Sequence, residues 1–170
     1  MRSLMRLFRS EPSEARPLYE AVVARARQPR WYLAGDVPDT LDGRFCMLAS
    51  LLSLLDVRLE RGGEAARRAS VGIAECFIAD MDSEMRQVGV SDVGMGKKVG
   101  KLVGALGGRV GAWRRAVDGE ESWQAVTARS VYRGEVPNAD AADYVERQLR
   151  EFWSALEASS DEQLVAGVLP

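Results

Sequence analysis

The chain has no histidine. That removes the commonest general base, the commonest zinc ligand and the side chain that titrates nearest neutral pH. Cysteine is scarce. Cys46 and Cys76 are the only two, they form no CxxC pair, and both sit in apolar helical runs. Neither a zinc site nor a secreted disulfide framework fits that pattern, which points to a reducing, cytoplasmic compartment. Long hydrophobic runs are missing too. The longest, Phe45 to Leu55, is about half of a membrane span and contains Ser50 and Ser53. The basic, apolar start from Met1 to Arg9 lacks the apolar core of a secretory signal. No segment alternates with the period of a strand, and there is no internal repeat or low-complexity tract.

What is present is ordinary globular material: 170 residues, 46% hydrophobic, 28% charged, with a net charge of −2. Such a chain builds one core, and any basic surface on it is local. Residues 1–12 read as a flexible tail in which Leu4, Met5, Leu7 and Phe8 stand among three arginines. A frayed terminus and a membrane-surface contact both fit it. Residues 13–170 read as a single all-α domain, a helical bundle of about six to eight helices. Ser13 opens a helix that Pro29 stops. Arg30 to Asp36 is a linker whose Trp31 and Tyr32 pack on the core. Asp39 or Thr40 starts a helix over about 40–61, Gly62-Gly63 breaks it, and a further helix runs over about 64–88. These two form a central antiparallel hairpin.

Ser91 or Asp92 opens a glycine-rich segment to about Val117, predicted as two shorter helices broken near Gly107-Gly108 because each interior glycine costs up to about 1 kcal/mol. Gly96, Gly100, Gly104 and Gly108 share one face, which suits a close helix–helix contact. Residues 120–133 read as a helix. Asn138 caps an amphipathic helix whose stripe is Tyr144, Val145, Leu149, Phe152, Trp153 and Leu156. Ser160 or Asp161 opens a last short one.

Two charged clusters bracket the hairpin. The first is Val37-Pro38-Asp39-Thr40-Leu41-Asp42-Gly43-Arg44-Phe45. The second holds Asp80, Asp82, Arg86 and Asp92. Both helices rise equally per residue, so residues equidistant from Gly62 are level. Arg44 then falls opposite Asp80, and Asp42 opposite Asp82. The pairs expected are Arg44 with Asp80 or Asp82, and Arg86 with Asp39 or Asp42. Two readings stay open: the pairs only lock the hairpin, or this end is part of a partner-binding surface. Arginine partners would keep the aspartates ionised, which argues against acid–base catalysis by Asp80 and Asp82. No catalytic, cofactor-binding or metal residue is assigned. Cys46 and Cys76 are also level and read as buried small hydrophobes. Beyond the second cluster lie Lys97, Lys98, Lys101, Arg109, Arg114 and Arg115, with no acidic residue among them. Either a solvated helix face or a surface for nucleic acid, anionic lipid or an acidic protein patch fits this segment.

The run Leu18-Tyr19, Ala26-Arg27-Gln28-Pro29, Tyr32, then Val37-Pro38-Asp39-Thr40 and Gly43-Arg44-Phe45, then Asp80-Met81-Asp82, Arg86, Gly89-Val90, Asp92 and Lys97 resembles the ubiquinol–cytochrome c chaperone family. The resemblance covers roughly residues 16–117. It implies an all-α fold and a non-enzymatic assembly chaperone for the cytochrome bc1 complex, respiratory complex III. The implied client is newly made cytochrome b. The implied companions are the ribosome near the nascent-chain exit and a small partner protein, with peripheral contact at the inner membrane and no DNA. Four positions depart from the pattern: Asp36 replaces a frequent glycine, Cys46 a frequent aspartate, Leu51 a common histidine and Glu84 an apolar residue. Two other functions stay in view: a ribosome- or nucleic-acid-binding helical module unrelated to cytochrome b, and an enzyme using Asp80 and Asp82.

Overall fold

The computed structural model of the chain describes residues 14–87 and 92–170. The expected tail over 1–12, the caps at Ser13 and Ser91 and the side chain of Asp92 lie outside the described residues. Eight helices and no strand are present among those described: α1 (Arg16–Ala26), α2 (Arg30–Leu33), α3 (Leu41–Glu60), α4 (Glu64–Gln87), α5 (Asp92–Val117), α6 (Trp123–Val131), α7 (Ala139–Ala158) and α8 (Asp161–Val165).

α3 is the axis of the molecule. It touches α1, α4, α5, α6 and α7, so apolar residues are buried all round it rather than on one stripe. Two serines sit in that run without breaking it. Ser50 Oγ donates to the Cys46 carbonyl at 2.8 Å and Ser53 Oγ to the Ala49 carbonyl at 2.6 Å, so neither hydroxyl is orphaned. The helix starts where Thr40 accepts a bond from the Gly43 amide, as a side-chain cap should. Ser122, Asn138 and Ser160 cap α6, α7 and α8 in the same way, the last with a full capping box. α1 lacks such a cap and begins with Pro17 in its first turn. The linker expected over 30–36 contains the single turn α2, which buries Trp31 completely.

The α3–α4 hairpin has the register set by its turn. Phe45 meets Phe77 with ring centroids 6.0 Å apart, and Ser70 donates to Asp56 at 2.5 Å. Arg58 closes the turn end of the hairpin. Its Nε and Nη2 donate to the carbonyls of Leu156 and Ser159, and its Nη1 to Asp161. The second oxygen of Asp161 accepts the Gly63 amide at 2.7 Å.

The break expected near Gly107-Gly108 is absent, and α5 runs unbroken through it. Its C-terminal half is anchored by buried Ala112, Trp113 and Ala116, and Trp113 packs on Trp123 at 5.4 Å. Once that half is fixed, extending the helix gains one hydrogen bond per residue, which outweighs the glycine cost. The glycine face is open as well. A Cβ placed at Gly96, Gly100, Gly104, Gly107 or Gly108 meets nothing within 4 Å. The close helix–helix contact expected there does not occur among the described residues.

Candidate functional site

The first charged cluster is a helix start built residue by residue. Val37 is buried and anchors the approach. Thr40 caps, and Gly43 is obligatory because a Cβ there would stand 1.9 Å from the Pro38 carbonyl oxygen. Asp39 accepts from Arg44 Nε at 2.6 Å, which holds the Asp39 carboxyl below its ordinary range and the Arg44 guanidinium above its own. Asp42, in the first turn of α3, accepts from Arg133 Nη1 at 2.6 Å. Phe45 packs on Phe77 and lies under the guanidinium of Arg109.

The second cluster is paired elsewhere than expected. Asp80 accepts from Arg16 Nη1 at 2.9 Å, which ties α4 to the start of α1 and holds the Arg16 guanidinium high. Burial pushes the neighbouring Tyr19 hydroxyl up, and Asp80 adds to it. Asp82 accepts from Arg86 one turn along the same helix. Arg44 therefore serves Asp39, not Asp80 or Asp82. Asp39 and Asp42, expected beside Arg86, are held by Arg44 and Arg133. The register placed these residues level, but level residues need not face each other. Arg44 and Arg86 close on partners in their own segments, while Asp80 turns to Arg16 of α1 and Asp42 to Arg133, just past α6. Both cysteines are buried and free, as expected; Cys46 accepts from Arg109 Nη2, and Cys76 lies in the core near Arg16 and Tyr19.

Beside Asp39 and Arg44 the chain forms an open groove of about 310 Å³, lined by Arg27, Pro29, Tyr32, Leu33, Asp39 and Arg44. Leu33 is 83% exposed, and so is Leu41, directly after the cap. A leucine exposed to that degree forgoes about 2 kcal/mol of burial free energy, and two such leucines on one short segment are unusual on a surface otherwise salt-bridged. Tyr32 is half-buried and donates to the Ala26 carbonyl at 2.8 Å, which presents its ring to the groove. Tyr32 also packs against the core, as the sequence led one to expect, but sequence reasoning overlooked Leu33. The available signal was a bulky aliphatic placed between an aromatic pair and a turn, with no helical stripe to absorb it.

The basic segment divides in two. Arg114 is bonded to Glu60, and Arg115 to Glu121 at 3.2 Å, with Arg129 on the same carboxylate. Those arginines hold Glu121 below its ordinary range, Arg129 first. Arg109 turns inward to the Ser130 carbonyl, Cys46 and Phe45. Lys97, Lys98 and Lys101 are exposed and make no ion pair with a described residue. Of the six, these three are what remains as a basic surface open to a partner.

Among the described residues, no group of three or more histidine, cysteine, aspartate or glutamate side chains is placed to hold a metal ion, and no helix is long and apolar enough to cross a membrane. The family model described as Ubiquinol-cytochrome C chaperone matches residues 34–169. Among solved structures, the crystal structure of the Cbp3 homolog from Brucella abortus is similar, at 32% identity and a TM-score of 0.79 over 96% of this chain and 93% of that one. A comparison with curated proteins finds no match. Both matches span most of the length over which the helices and their charged clusters have been described, and on that basis the chain belongs to the ubiquinol–cytochrome c chaperone family.

Proposed function

We propose that this chaperone holds unassembled cytochrome b for the cytochrome bc1 complex, without catalysing a reaction, and that residues 13–170 act as one unit in doing so. The client surface is the groove between α2 and the start of α3. What carries this reading is the pair of exposed leucines, Leu33 and Leu41, beside a groove whose rim is the Asp39–Arg44 pair. An apolar, shallow, open surface suits reversible capture of a membrane-protein segment, because release requires no deep pocket to be refilled. The signature charges Asp39, Asp42, Arg44, Asp80, Asp82 and Arg86 support that surface by fixing the ends of α1, α3 and α4. A small partner protein and peripheral contact with the inner membrane are parts of the same reading.

The test is Leu33→Asp in cells that depend on the protein. Complex III accumulation is expected to fall severalfold while the melting temperature moves by less than about 2 °C, since surface changes of this kind stay near ±0.5 kcal/mol. Crosslinks from position 33 should capture cytochrome b. Normal complex III levels in a strain lacking the protein would overturn the reading.

A second reading, a ribosome-binding module, is favoured by one observation: Lys97, Lys98 and Lys101 on the outer part of α5, exposed and without an acidic partner among the described residues. Sedimentation with ribosomes that persists when cytochrome b is not translated would favour it over the first.

A further inference from the structure

Most arginines of the described surface meet a side-chain carboxylate within ion-pair distance. Arg27, the residue that ends α1, is an exception. It is exposed, and its side chain makes no hydrogen bond or ion pair with a described residue. It also lines the groove beside α2, together with Asp39 and Arg44. Asp39 accepts from Arg44 Nε at 2.6 Å, and the two Nη groups of Arg44 bond to no described residue. The groove lining therefore holds two guanidiniums and one carboxylate, and that carboxylate is already matched. Arg27 is the excess charge.

The rest of the lining is apolar: Pro29, the exposed Leu33 and the ring of Tyr32. The Tyr32 hydroxyl donates back to the Ala26 carbonyl, so the ring rather than the hydroxyl is offered to a ligand. Burial raises the pKa of that hydroxyl, the charge of Arg44 opposes the rise, Asp39 adds to it and Arg27 opposes it. All three charges thus act on the same phenol. An apolar wall takes an aliphatic side chain but separates one such side chain from another only weakly. A localised charge supplies the discrimination. Beside apolar walls that exclude water, it acts more strongly than on an open surface.

We propose that Arg27 selects the client by charge: the groove takes a peptide stretch in which an acidic side chain neighbours a leucine-like one. The carboxylate lies on Arg27, whose guanidinium is unoccupied and pairs with a carboxylate through two parallel hydrogen bonds. The aliphatic neighbour lies against Leu33 and the Tyr32 ring. A lysine or arginine in place of the acidic residue is repelled. The inference rests on the groove being the client surface, and it names the residue of that surface that discriminates between segments.

The test is fluorescence anisotropy of the full chain with three labelled peptides of leucine and serine. They differ only in one central residue: glutamate, glutamine or lysine. At low ionic strength the glutamate peptide should bind about 3–5-fold tighter than the glutamine peptide, and the lysine peptide more weakly than either. High salt should shrink the preference. Arg27→Gln should abolish it, and Arg27→Glu should reverse the order. Arg67→Gln, at an exposed arginine of α4, should leave it intact. Leu33→Ser should weaken all three peptides alike and keep their order. Equal binding of the three peptides that Leu33→Ser weakens would overturn selection by charge and leave the groove as the client surface. A glutamate preference that survives Arg27→Glu would overturn the role of Arg27. Binding of no peptide, or binding that ignores Leu33→Ser, would overturn the groove itself and this inference with it.

Discussion

Asp56 stands on α3 beside a small cavity of about 20 Å³ that Leu52, Ile73, Ala74, Leu106 and Val110 complete. Burial raises its pKa above the ordinary 3.8, Glu60 adds to the rise, and the bond from Ser70 and the charge of Arg114 oppose it. The sign of the consequence follows from linkage. A carboxyl whose folded pKa is raised binds its proton more tightly in the folded state, so it favours folding below its unfolded pKa and loses that contribution as pH rises through the folded value. At neutral pH the ionised Asp56 is therefore a cost. Asp56→Asn keeps an acceptor for Ser70 and removes the charge. After allowing for solvent screening on its open side, it should stabilise the chain by about 1 kcal/mol at pH 7, or roughly 2–4 °C. The advantage should shrink as pH falls from the folded pKa toward 3.8. Melting curves across that range check it, and a difference independent of pH would sink the argument. Asp36 illustrates a different single-position constraint. Its φ of 51° lies in the left-handed region, which glycine enters freely and aspartate tolerates better than most side chains.

α5 is the element in which intrinsic propensity and tertiary packing disagree. Its residues 96–104 are largely exposed and rich in glycine, and its second half is locked to the core by Trp113. Nothing in the described chain occupies the space that side chains at Gly100 and Gly104 would fill. Gly100→Ala with Gly104→Ala should therefore stabilise the isolated protein by about 1.5–2 kcal/mol, a rise of roughly 3–8 °C. If a partner helix needs the bare backbone there, the same double variant will melt higher yet support less complex III. A lower melting temperature would show that α5 is packed differently. Helix propensity alone made the break at Gly107-Gly108 a sound expectation, because the sequence does not reveal how much Trp113 buries. The hairpin shows the opposite balance. Helical rise is constant, so the levels of Phe45 with Phe77 and of Asp56 with Ser70 were legible from the turn at Gly62. Azimuth was not legible. Asp80 turns to Arg16 of α1 and Asp42 to Arg133 just past α6, whose positions no local pattern encodes, while Arg44 closes on Asp39 in its own segment. The groove escaped notice for the same reason, since Leu33 and Arg44 are neighbours only once α2 has turned back on α3.

In the whole molecule, the last helix and the hairpin turn are joined through one side chain. Arg58 satisfies the carbonyls of Leu156 and Ser159 at the end of α7 and bonds Asp161 at the start of α8, whose other oxygen holds the Gly63 amide. The Gly63 amide first, and Arg58 second, hold the Asp161 carboxyl below its ordinary value. A carboxyl with a depressed folded pKa contributes stability above its unfolded pKa and loses it as pH falls through the folded one. Arg58→Ala strips three hydrogen bonds at once and leaves two carbonyls and a carboxylate short of a partner. It should cost about 2–4 kcal/mol at neutral pH, a fall of roughly 4–16 °C. Arg58→Lys keeps the charge but cannot reach all three acceptors from one plane, so it should fall between the two. The gap between wild type and Arg58→Ala should narrow below the pKa of Asp161, because the protonated carboxyl gives up its ion pair in wild type as well. Arg58 stands at the end of α3 far from Leu33, which makes it the control for the proposed client surface. A chaperone defect in Arg58→Ala should track the fraction of folded protein and be recovered by lowering the temperature, whereas the defect of Leu33→Asp should persist at every temperature at which the protein is folded. A Leu33→Asp defect that cooling restores would mean that the leucine supports the fold and that the client binds elsewhere.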